Sequence, residues 1–284
     1  MSSNPDEPCC WPETILETPE AVIEQLANFR LYQNQWVFRG QTTINHYQLK
    51  PNIDRVSIEN TDNADPETTR ESKIKVERQI IELFRTAVKT TREEEKQIYL
   101  RDDIFTLMLI QHYGGPTRLL DWSFSPYIAT FFAVSDYKCD EKDALIWAFD
   151  YQQYEETGPK QWEQFPEVKV DGVFDKRLIK AFEKDYYNNW IVCQFLSNPF
   201  PRIYAQEGLF TFCSQFDVDH AEKLKELLGN DQFIHCYKIK GGGENKKRIR
   251  RFLMDEIGIW NGTMYPDLPG VAIGITELLH DKSI

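Results

Sequence analysis

Polar and charged residues gather at four places along the chain where their types could support chemistry. The first is the segment Phe38-Arg39-Gly40-Gln41, in which an arginine and a glycine end a short apolar run. A guanidinium binds phosphate or carboxylate through two parallel N–H groups, and glycine lets a ligand approach the backbone. The segment predicts an anion site formed by Arg39, Gly40 and Gln41. A structural ion pair beside a turn glycine is the alternative.

The second place is the stretch QHYGGPTRLLDWSFSP at residues 111–126, where polar groups are dense between two apolar segments. Charged residues in or beside a buried strand need partners, and a histidine can titrate near neutral pH. A serine before a helix offers hydroxyl and N–H donors to an anion. The candidate binding or catalytic residues from this pattern are His112, Arg118, Asp121 and Ser125. The alternative is a helix cap combined with a buried ion pair.

The third place is the pair Gln206-Glu207, which precedes the apolar segment GLFTFC. Catalytic amides and carboxylates often stand at such strand ends, where the core holds them rigidly. Neighbouring residues of a strand face opposite sides, so we expect only one of the two to serve. A solvated turn is the alternative.

The fourth place is residues 238–251, where seven of fourteen residues are basic and three are glycine. The GK[ST] element of a phosphate-binding loop is missing. The pattern favours a flexible connection followed by a helix with a solvated basic face. Contact with a nucleotide or nucleic acid is the other interpretation.

The elements that must position these residues alternate between short strands and helices, with long connections. Strands are predicted at 36–41, 117–122, 144–149, 208–213 and 232–239, and helices at 21–31, 73–90, 102–113, 126–134, 219–228 and 245–257. This order predicts an α+β fold and not a regular doubly wound sheet. Residues 1–17 are predicted to be an extension and residues 18–284 a single domain, with a flexible surface loop at 57–72.

The composition limits the classes of protein. The 284 residues include 33 Lys+Arg and 45 Asp+Glu, which gives a net charge of −12 and argues against general coating of nucleic acid. The 13% of aromatic residues argues against a disordered chain. No apolar run approaches a membrane span, and no secretory signal is visible, so a cytoplasmic protein is expected. Six scattered cysteines without a CxxC pair predict no metal site.

Taken together, the motif blocks resemble the FRG domain, a family named for its Phe/Tyr-Arg-Gly motif. The resemblance rests on residues 38–40, 49–51 and 111–129, and continues at 206–210 and 258–270. It covers most of the chain between residues 36 and 272. The family does not by itself identify a reaction.

A more distant similarity is to ADP-ribosyltransferase folds. These resemble the chain in having a strand with Arg and a small residue, a second strand leading into an apolar helix, and a later strand that begins with the catalytic group. The similarity implies a small, split, mixed or antiparallel sheet flanked by helices, with NAD as substrate and no metal. It implies that Arg39 and Gly40 hold phosphates or carboxamide, and that Tyr113 or Trp122 stacks on nicotinamide.

The catalytic group stays open at this point. If Gln206 faces the site, the carboxylate that stabilises an oxocarbenium-like transition state comes from Asp121 or Asp267, or the protein binds nucleotide without turnover. The expected role is an NAD-dependent effector, of a toxin or phage-defence type, with a protein or nucleic-acid acceptor. The alternative is a non-catalytic nucleotide- or nucleic-acid-binding module that uses Arg39, Arg118 and residues 246–251. A different hydrolase or nuclease acting at the same site is the third possibility.

Overall fold

A computed structural model describes residues 9–29, 35–44, 48–55, 66–89, 103–158, 191–195 and 204–281. These residues form one mixed sheet with helices on both faces. The seven strands are β1 (Glu13–Leu16), β2 (Trp36–Gln41), β3 (Leu119–Ser123), β4 (Ala144–Asp150), β5 (Ile191–Phe195), β6 (Gly208–Cys213) and β7 (Ile234–Ile239). Their spatial order is β1-β7-β4-β2-β3-β6-β5, and only β1 and β7 run parallel. The α+β class is confirmed.

The helices of the described residues connect these strands and cover both faces of the sheet. They are α1 (Pro19–Phe29), α2 (Asn52–Arg55), α3 (Pro66–Lys89), α4 (Asp103–His112), α5 (Pro126–Val134), α6 (Tyr151–Thr157), α7 (His220–Leu228), α8 (Asn245–Phe252), α9 (Asn261–Met264) and α10 (Leu268–Asp281). A π-helical turn, Leu253–Ile257, continues α8. None of the helices in the described ranges is both long and apolar enough to cross a membrane.

The sheet is almost divided at its centre. Strands β2 and β3 pair at a single position, Phe38 opposite Ser123, whereas β2 pairs with β4 at six positions. The four strands β1, β7, β4 and β2 therefore form one half, and β3, β6 and β5 form the other. Beyond the single pair the two strands separate, so their backbone groups face a gap and not a neighbouring strand.

The pleat assigns the side chains near this gap to the two faces. Residues directly opposite each other share a face, and neighbours along a strand alternate. Phe38 and Asp121 consequently lie on the face that α5 and α4 cover, where separate apolar clusters pack on each half of the sheet. The side chains of Arg39 and Trp122 lie on the opposite face of the sheet, which Ala221 and Leu224 of α7 cover.

Two predicted boundaries differ from the structure. The predicted extension, residues 1–17, contains β1, and Trp11 inside it is 2% exposed and donates from Nε1 to the carbonyl oxygen of Ala221. Four residues are too few to show a strand periodicity, so the pairing with β7 was not visible in the sequence. Residues 66–72 of the predicted 57–72 loop are the beginning of α3; the rest of that loop lies outside the described residues.

Candidate functional site

A cavity of about 390 Å³ occupies the place where β2 and β3 separate. Its wall includes residues from both faces of the sheet and from α2, α4 and α5. Seven of the residues predicted from the sequence line it: Arg39, Gly40, Gln41, His112, Asp121, Trp122 and Gln206. The split of the sheet therefore brings together residues from three motif blocks that are distant in sequence.

Arg39 spans the gap between the two halves of the sheet. Its Nη1 donates to the main-chain oxygen of Asp121 at 2.6 Å and lies 3.9 Å from the Asp121 carboxylate. Its other N–H groups make no hydrogen bond to the described residues. Burial lowers the pKa of Arg39 to about 10, partly offset by Asp121, and the guanidinium stays charged at neutral pH. It is a cation with unused donors in a cavity, which suits an anionic ligand.

Asp121 is held in place by a chain of side-chain hydrogen bonds. Gln111 donates from Nε2 to the Asp121 carboxylate at 2.6 Å, and the Oε1 of Gln111 accepts from the Thr117 hydroxyl at 2.5 Å. This chain fixes the Gln111 amide with its N–H groups toward Asp121. The Asp121 side chain is 48% exposed, and it is the one carboxylate among the described residues that line the cavity. It is therefore oriented and accessible.

A second arginine adds positive charge to the wall. Arg55, at the end of α2, lines the cavity and forms no ion pair within the part of the chain that the structure describes. Its charge contributes to the lowered pKa of Arg39. Two arginines against one aspartate leave the wall net positive in a chain whose overall charge is −12. The local field consequently favours an anion.

Gly40 has a packing role that the sequence did not reveal. A Cβ at this position would lie 1.9 Å from the main-chain oxygen of Ala129 and 2.5 Å from the nitrogen of Ala133. Helix α5 therefore lies directly on the backbone of β2. Gly40 lines the cavity, but the structure requires glycine there for the close approach of the helix.

Ser125 caps α5 and does not line the cavity. Its side-chain oxygen accepts from the main-chain nitrogen of Ile128, with Pro126 at the first helical position, as the sequence predicts. Its own N–H donates to the Ser123 hydroxyl at 3.0 Å. Both groups are thus engaged in local structure.

The pair Gln206-Glu207 forms a turn before β6, and only Gln206 lines the cavity. The side-chain Nε2 of Gln206 donates to the main-chain oxygen of Met264. The main-chain oxygen of Gln206 accepts from the Ser123 hydroxyl at 2.7 Å. Glu207 is exposed and has a positive φ of 46°. Desolvation of the carboxyl group by neighbouring atoms raises the pKa of Glu207, but the carboxyl does not reach the cavity wall. Asp267 accepts from the N–H of Gly270 at the start of α10 and is also absent from the wall.

Arg118 is not brought to the cavity. It is 1% exposed and binds Glu77 of α3 through two hydrogen bonds of 2.8 and 2.6 Å. Its Nη1 donates to the main-chain oxygen of Ser214, and its guanidinium lies over the rings of Phe212 and Phe216. Arg118 thus forms a buried ion pair with α3 directly before β3, and a contact of Arg118 with a ligand stays a prediction.

Of the two aromatic residues predicted to contact the ligand, Trp122 lines the cavity and Tyr113 does not. Trp122 lines the cavity but is 2% exposed, and its Nε1 donates to the Thr211 hydroxyl at 2.9 Å. Tyr113 is 49% exposed and outside the wall, with its ring edge against His112. The more accessible rings of the wall are Phe132 and Tyr265, which are half-buried. They are better placed than Trp122 to offer a face to a ligand.

The basic segment 246–251 is engaged mainly with the protein. Lys246 is 1% exposed, and its Nζ donates to the main-chain oxygens of Thr42 and Cys139. Arg250 binds Asp140 through two hydrogen bonds, and Arg248 pairs with Glu20. Lys246 and Arg250 are therefore buried and paired, whereas Arg248 lies at the surface.

Sequence reasoning missed several residues of the wall. Asn52, Arg55, Phe132 and Ser135 lie outside the residues singled out as candidates, although α2 directly follows the Leu49-Lys50-Pro51 block. Only the proximity of Arg55 to a motif block signalled it. Its approach to Arg39 depends on the tertiary path of the chain.

Neither a disulfide nor a metal cluster occurs in the described ranges. None of the six cysteines forms a disulfide, and no group of three or more His, Cys, Asp or Glu residues described by the structure is placed to hold a metal ion. The predicted site residues consist of guanidinium, amide, carboxylate, imidazole, hydroxyl and ring groups and a glycine.

Comparison with known families adds one match. The FRG domain matches residues 34–142, which include Arg39, Arg55, Gln111 and Asp121. The motifs at 206–210 and 258–270 lie beyond the matched residues. No curated protein and no solved structure matches the chain. The resemblance to ADP-ribosyltransferase folds stays a prediction.

Proposed function

Because the chain carries an FRG domain in residues 34–142, we propose that it is an NAD-dependent, ADP-ribosyltransferase-like cytoplasmic effector whose nucleotide site is the cavity between β2 and β3. The observation that carries the proposal is the meeting of Arg39, Asp121 and Gln206 in one wall. A cation with unused donors, an oriented carboxylate and an amide are the groups that a charged dinucleotide and a breaking glycosidic bond need. A toxin or phage-defence role is the biological setting that the family resemblance implies.

In the proposed reaction, the bond between C1′ of the ribose and the nicotinamide nitrogen breaks, and its electron pair leaves with nicotinamide. A lone pair of the acceptor nucleophile forms the new bond to C1′, and the proton of the nucleophile passes to a carboxylate or to water. Asp121 serves as the carboxylate that faces the positive charge on the ribose. Its support is geometric, since Glu207 and Asp267 do not line the cavity.

The remaining groups bind and orient the substrate. Arg39 and Arg55 hold the phosphates, and Gln206 contacts a ribose hydroxyl. The nicotinamide ring packs against Phe132 or Tyr265, whose rings lie 6.3 Å apart in an edge-to-face arrangement. Binding at these points holds the ribose carbon near Asp121, so that orientation contributes to the rate.

A comparison of three acids tests this function. Purified protein is incubated with radiolabelled NAD and cell lysate, and the release of nicotinamide and the transfer of label are measured. Asp121→Asn keeps an oxygen toward Gln111 but removes the charge, and we expect a rate loss of about a hundredfold or more. Glu207→Gln and Asp267→Asn are the matched controls and should keep most of the activity. Absence of nicotinamide release by the unchanged protein, or loss of activity in the controls alone, contradicts the proposal.

The amide at position 206 favours a second candidate, a module that binds nucleotide without turnover. Its binding residues would be the same, with Asp121 acting only as a hydrogen-bond acceptor. Tight binding of ADP-ribose together with no detectable nicotinamide release distinguishes it from the enzyme.

A further inference from the structure

A tight turn after α4 brings Thr117 back to the side chain of Gln111, six positions earlier in the chain. Gly114 has a left-handed φ of 79°, and the N–H of Gly115 donates to the main-chain oxygen of Ile110 at 2.8 Å. A Cβ on Gly115 would lie 2.6 Å from the Ile110 side chain, so the close turn requires glycine there. Thr117 is 0% exposed and does not line the cavity. Any effect of its side chain on a ligand must therefore pass through a neighbour.

The Thr117 hydroxyl has its hydrogen directed at Gln111. The N–H of Leu119 donates to Thr117 Oγ1 at 3.1 Å, and Oγ1 lies 2.5 Å from Gln111 Oε1. Gln111 Nε2 lies 2.6 Å from the Asp121 carboxylate, which in its ionised form accepts hydrogen bonds and donates none. The amide therefore turns its N–H groups toward Asp121 and its oxygen toward Thr117. The hydroxyl supplies the hydrogen that this oxygen accepts.

These hydrogen bonds form a chain in which every donor points toward the carboxylate. Its members, in order, are the main-chain N–H of Leu119, the Thr117 hydroxyl, the Gln111 amide and the Asp121 carboxylate. Hydrogen bonds aligned in this way polarise one another, so each is stronger than it would be alone. The chain begins in the core and ends at a carboxylate that is 48% exposed in the cavity wall. A buried hydroxyl outside the cavity thus bears on the orientation of an accessible acid.

The main chain of Thr117 also holds α2 in place. Its oxygen accepts from the N–H of Ile53 at 3.3 Å, and the Ile53 side chain is buried. The neighbouring Asp54 carboxylate accepts from Nζ of Lys73 on α3 at 3.1 Å. Arg55 ends the same helix and lines the cavity. Because α2 is held by a main-chain atom of Thr117, a side-chain substitution there should leave Arg55 where it is.

We propose that Thr117 is a positioning residue for the Asp121 carboxylate and acts through the Gln111 amide. The hydroxyl holds the amide in the orientation that donates to the carboxylate, since the reversed amide would place Oε1 against it. The proposal rests on the proposed function, which it deepens by adding a residue that affects cleavage of the glycosidic bond without touching the substrate. Loss of the hydroxyl should therefore lower turnover and spare the binding of phosphates.

The rates of nicotinamide release by Thr117→Val and Thr117→Ser test this role. Valine has nearly the shape of threonine without the hydroxyl, and serine keeps the hydroxyl. We expect Thr117→Val to lower kcat about tenfold with KM within about threefold, because the amide loses the donor that orients it. Thr117→Ser should keep kcat within about threefold. Thr130→Val is the matched control and should leave kcat and KM unchanged, since Thr130 is a buried threonine outside the cavity wall whose hydroxyl donates to the main-chain oxygen of Pro126.

Asp121→Asn provides a background in which the hydroxyl should no longer matter. An asparagine side chain offers both an oxygen and N–H groups, so it can pair with either orientation of the Gln111 amide. We expect Thr117→Val to change the rate of Asp121→Asn by less than about twofold, although it lowers the rate of the unchanged protein about tenfold. Equal effects in the two backgrounds would mean that Thr117 only supports the fold, and would overturn the proposal.

Crystal structures of the same variants give a measurement that does not depend on NAD. In Thr117→Val we expect the Gln111 amide to move away from Asp121, which opens their 2.6 Å contact, and in Thr117→Ser we expect the contact to remain. If Thr117→Val does not fold, Thr117→Cys takes its place. Its S–H is a weaker donor than a hydroxyl, so it should cause the same changes to a smaller degree.

The outcomes separate the positioning role from the proposed function. If the unchanged protein releases nicotinamide and Thr117→Val keeps either its kcat or the contact, the positioning role is wrong and the function stands. If NAD is neither bound nor cleaved but the contact opens in Thr117→Val and not in Thr117→Ser, the positioning of the carboxylate stands and the proposed function falls. If NAD is not used and the contact stays closed in both variants, both fail.

Discussion

Arg39 donates to the main-chain oxygen of Asp121 across the point where β2 and β3 stop pairing. The bond is 2.6 Å long and links the two halves of the sheet with a charged side chain instead of a strand-to-strand ladder. The same guanidinium lines the cavity that the separation leaves. One residue thus contributes to the stability of the sheet and to the charge of the site.

Arg39 has this double role, whereas Arg55 lines the cavity without linking the two halves of the sheet. We expect Arg39→Gln to lower the free energy of unfolding by about 2 kcal/mol, since a charge-assisted hydrogen bond to a main-chain oxygen is lost. Arg55→Gln should not lower it, because Arg55 makes no ion pair within the described residues and repels Arg39. Both variants should weaken ADP-ribose binding by about tenfold or more.

Urea unfolding and equilibrium dialysis measure the two quantities. Arg248→Gln, an exposed arginine paired with Glu20, is the control and should change neither by much. Equal losses of stability in the Arg39 and Arg55 variants would show that the gap is not bridged as described.

Gly40 is expected to tolerate no side chain. Gly40→Ala places a Cβ against the Ala129 carbonyl of α5, and overpacking of this kind should lower the free energy of unfolding by about 3 kcal/mol. Gly229→Ala is the comparison, since a Cβ there meets no atom and only the left-handed backbone is strained, at about 1 kcal/mol. Chemical denaturation of both variants checks the difference. Similar losses in the two would contradict the close helix approach.

The Arg118–Glu77 pair is expected to matter for stability and not for binding. Arg118→Met leaves the Glu77 carboxylate unpaired in the core, which should lower the free energy of unfolding by about 3–5 kcal/mol. Adding Glu77→Leu removes the uncompensated charge and should recover much of that loss. ADP-ribose affinity, measured at a temperature where the variants are folded, should stay unchanged. A tenfold loss of ADP-ribose affinity in the double variant would show that Arg118 contributes to ligand binding.

His220 gives the fold a dependence on pH. Its pKa is lowered to about 3 in the folded protein from 6.5, so the unfolded chain binds a proton that the folded chain does not. The stability that depends on neutral His220 is fully present above about pH 6.5 and is lost as the pH falls toward 3. The slope contributed is about 1.4 kcal/mol per pH unit in this window.

Urea titrations between about pH 4 and pH 8, which span most of this window, measure that slope. His220→Asn should reduce it, whatever its effect on the absolute stability. His235 also has a pKa lowered by burial, and His235→Asn should reduce the slope less, because that ring is only half-buried. An unchanged slope in the His220 variant would mean that the ring is not held neutral.

The sequence by itself determined the local structure of the site. Strand β2 over residues 36–41, the capped helix 126–134 and strand β6 over residues 208–213 follow from short-range patterns: apolar runs, a serine before proline, and glycine at a boundary. The residues of the motif blocks were recognisable as a group for the same reason. Types and order are properties of the chain alone, and the family match over residues 34–142 depends on nothing else.

Only the tertiary structure decided which of those residues meet. Arg118 and Asp121 lie three positions apart in one motif, yet Arg118 is bound by Glu77 in the core and Asp121 faces the cavity. Gln206 and Glu207 are neighbours, and only the first reaches the wall. The outcome depends on which strand face each side chain leaves and on contacts with α2, α3 and α7, whose partners are distant along the chain. Such long-range contacts, and the single pairing that splits the sheet, have no local signature in the sequence.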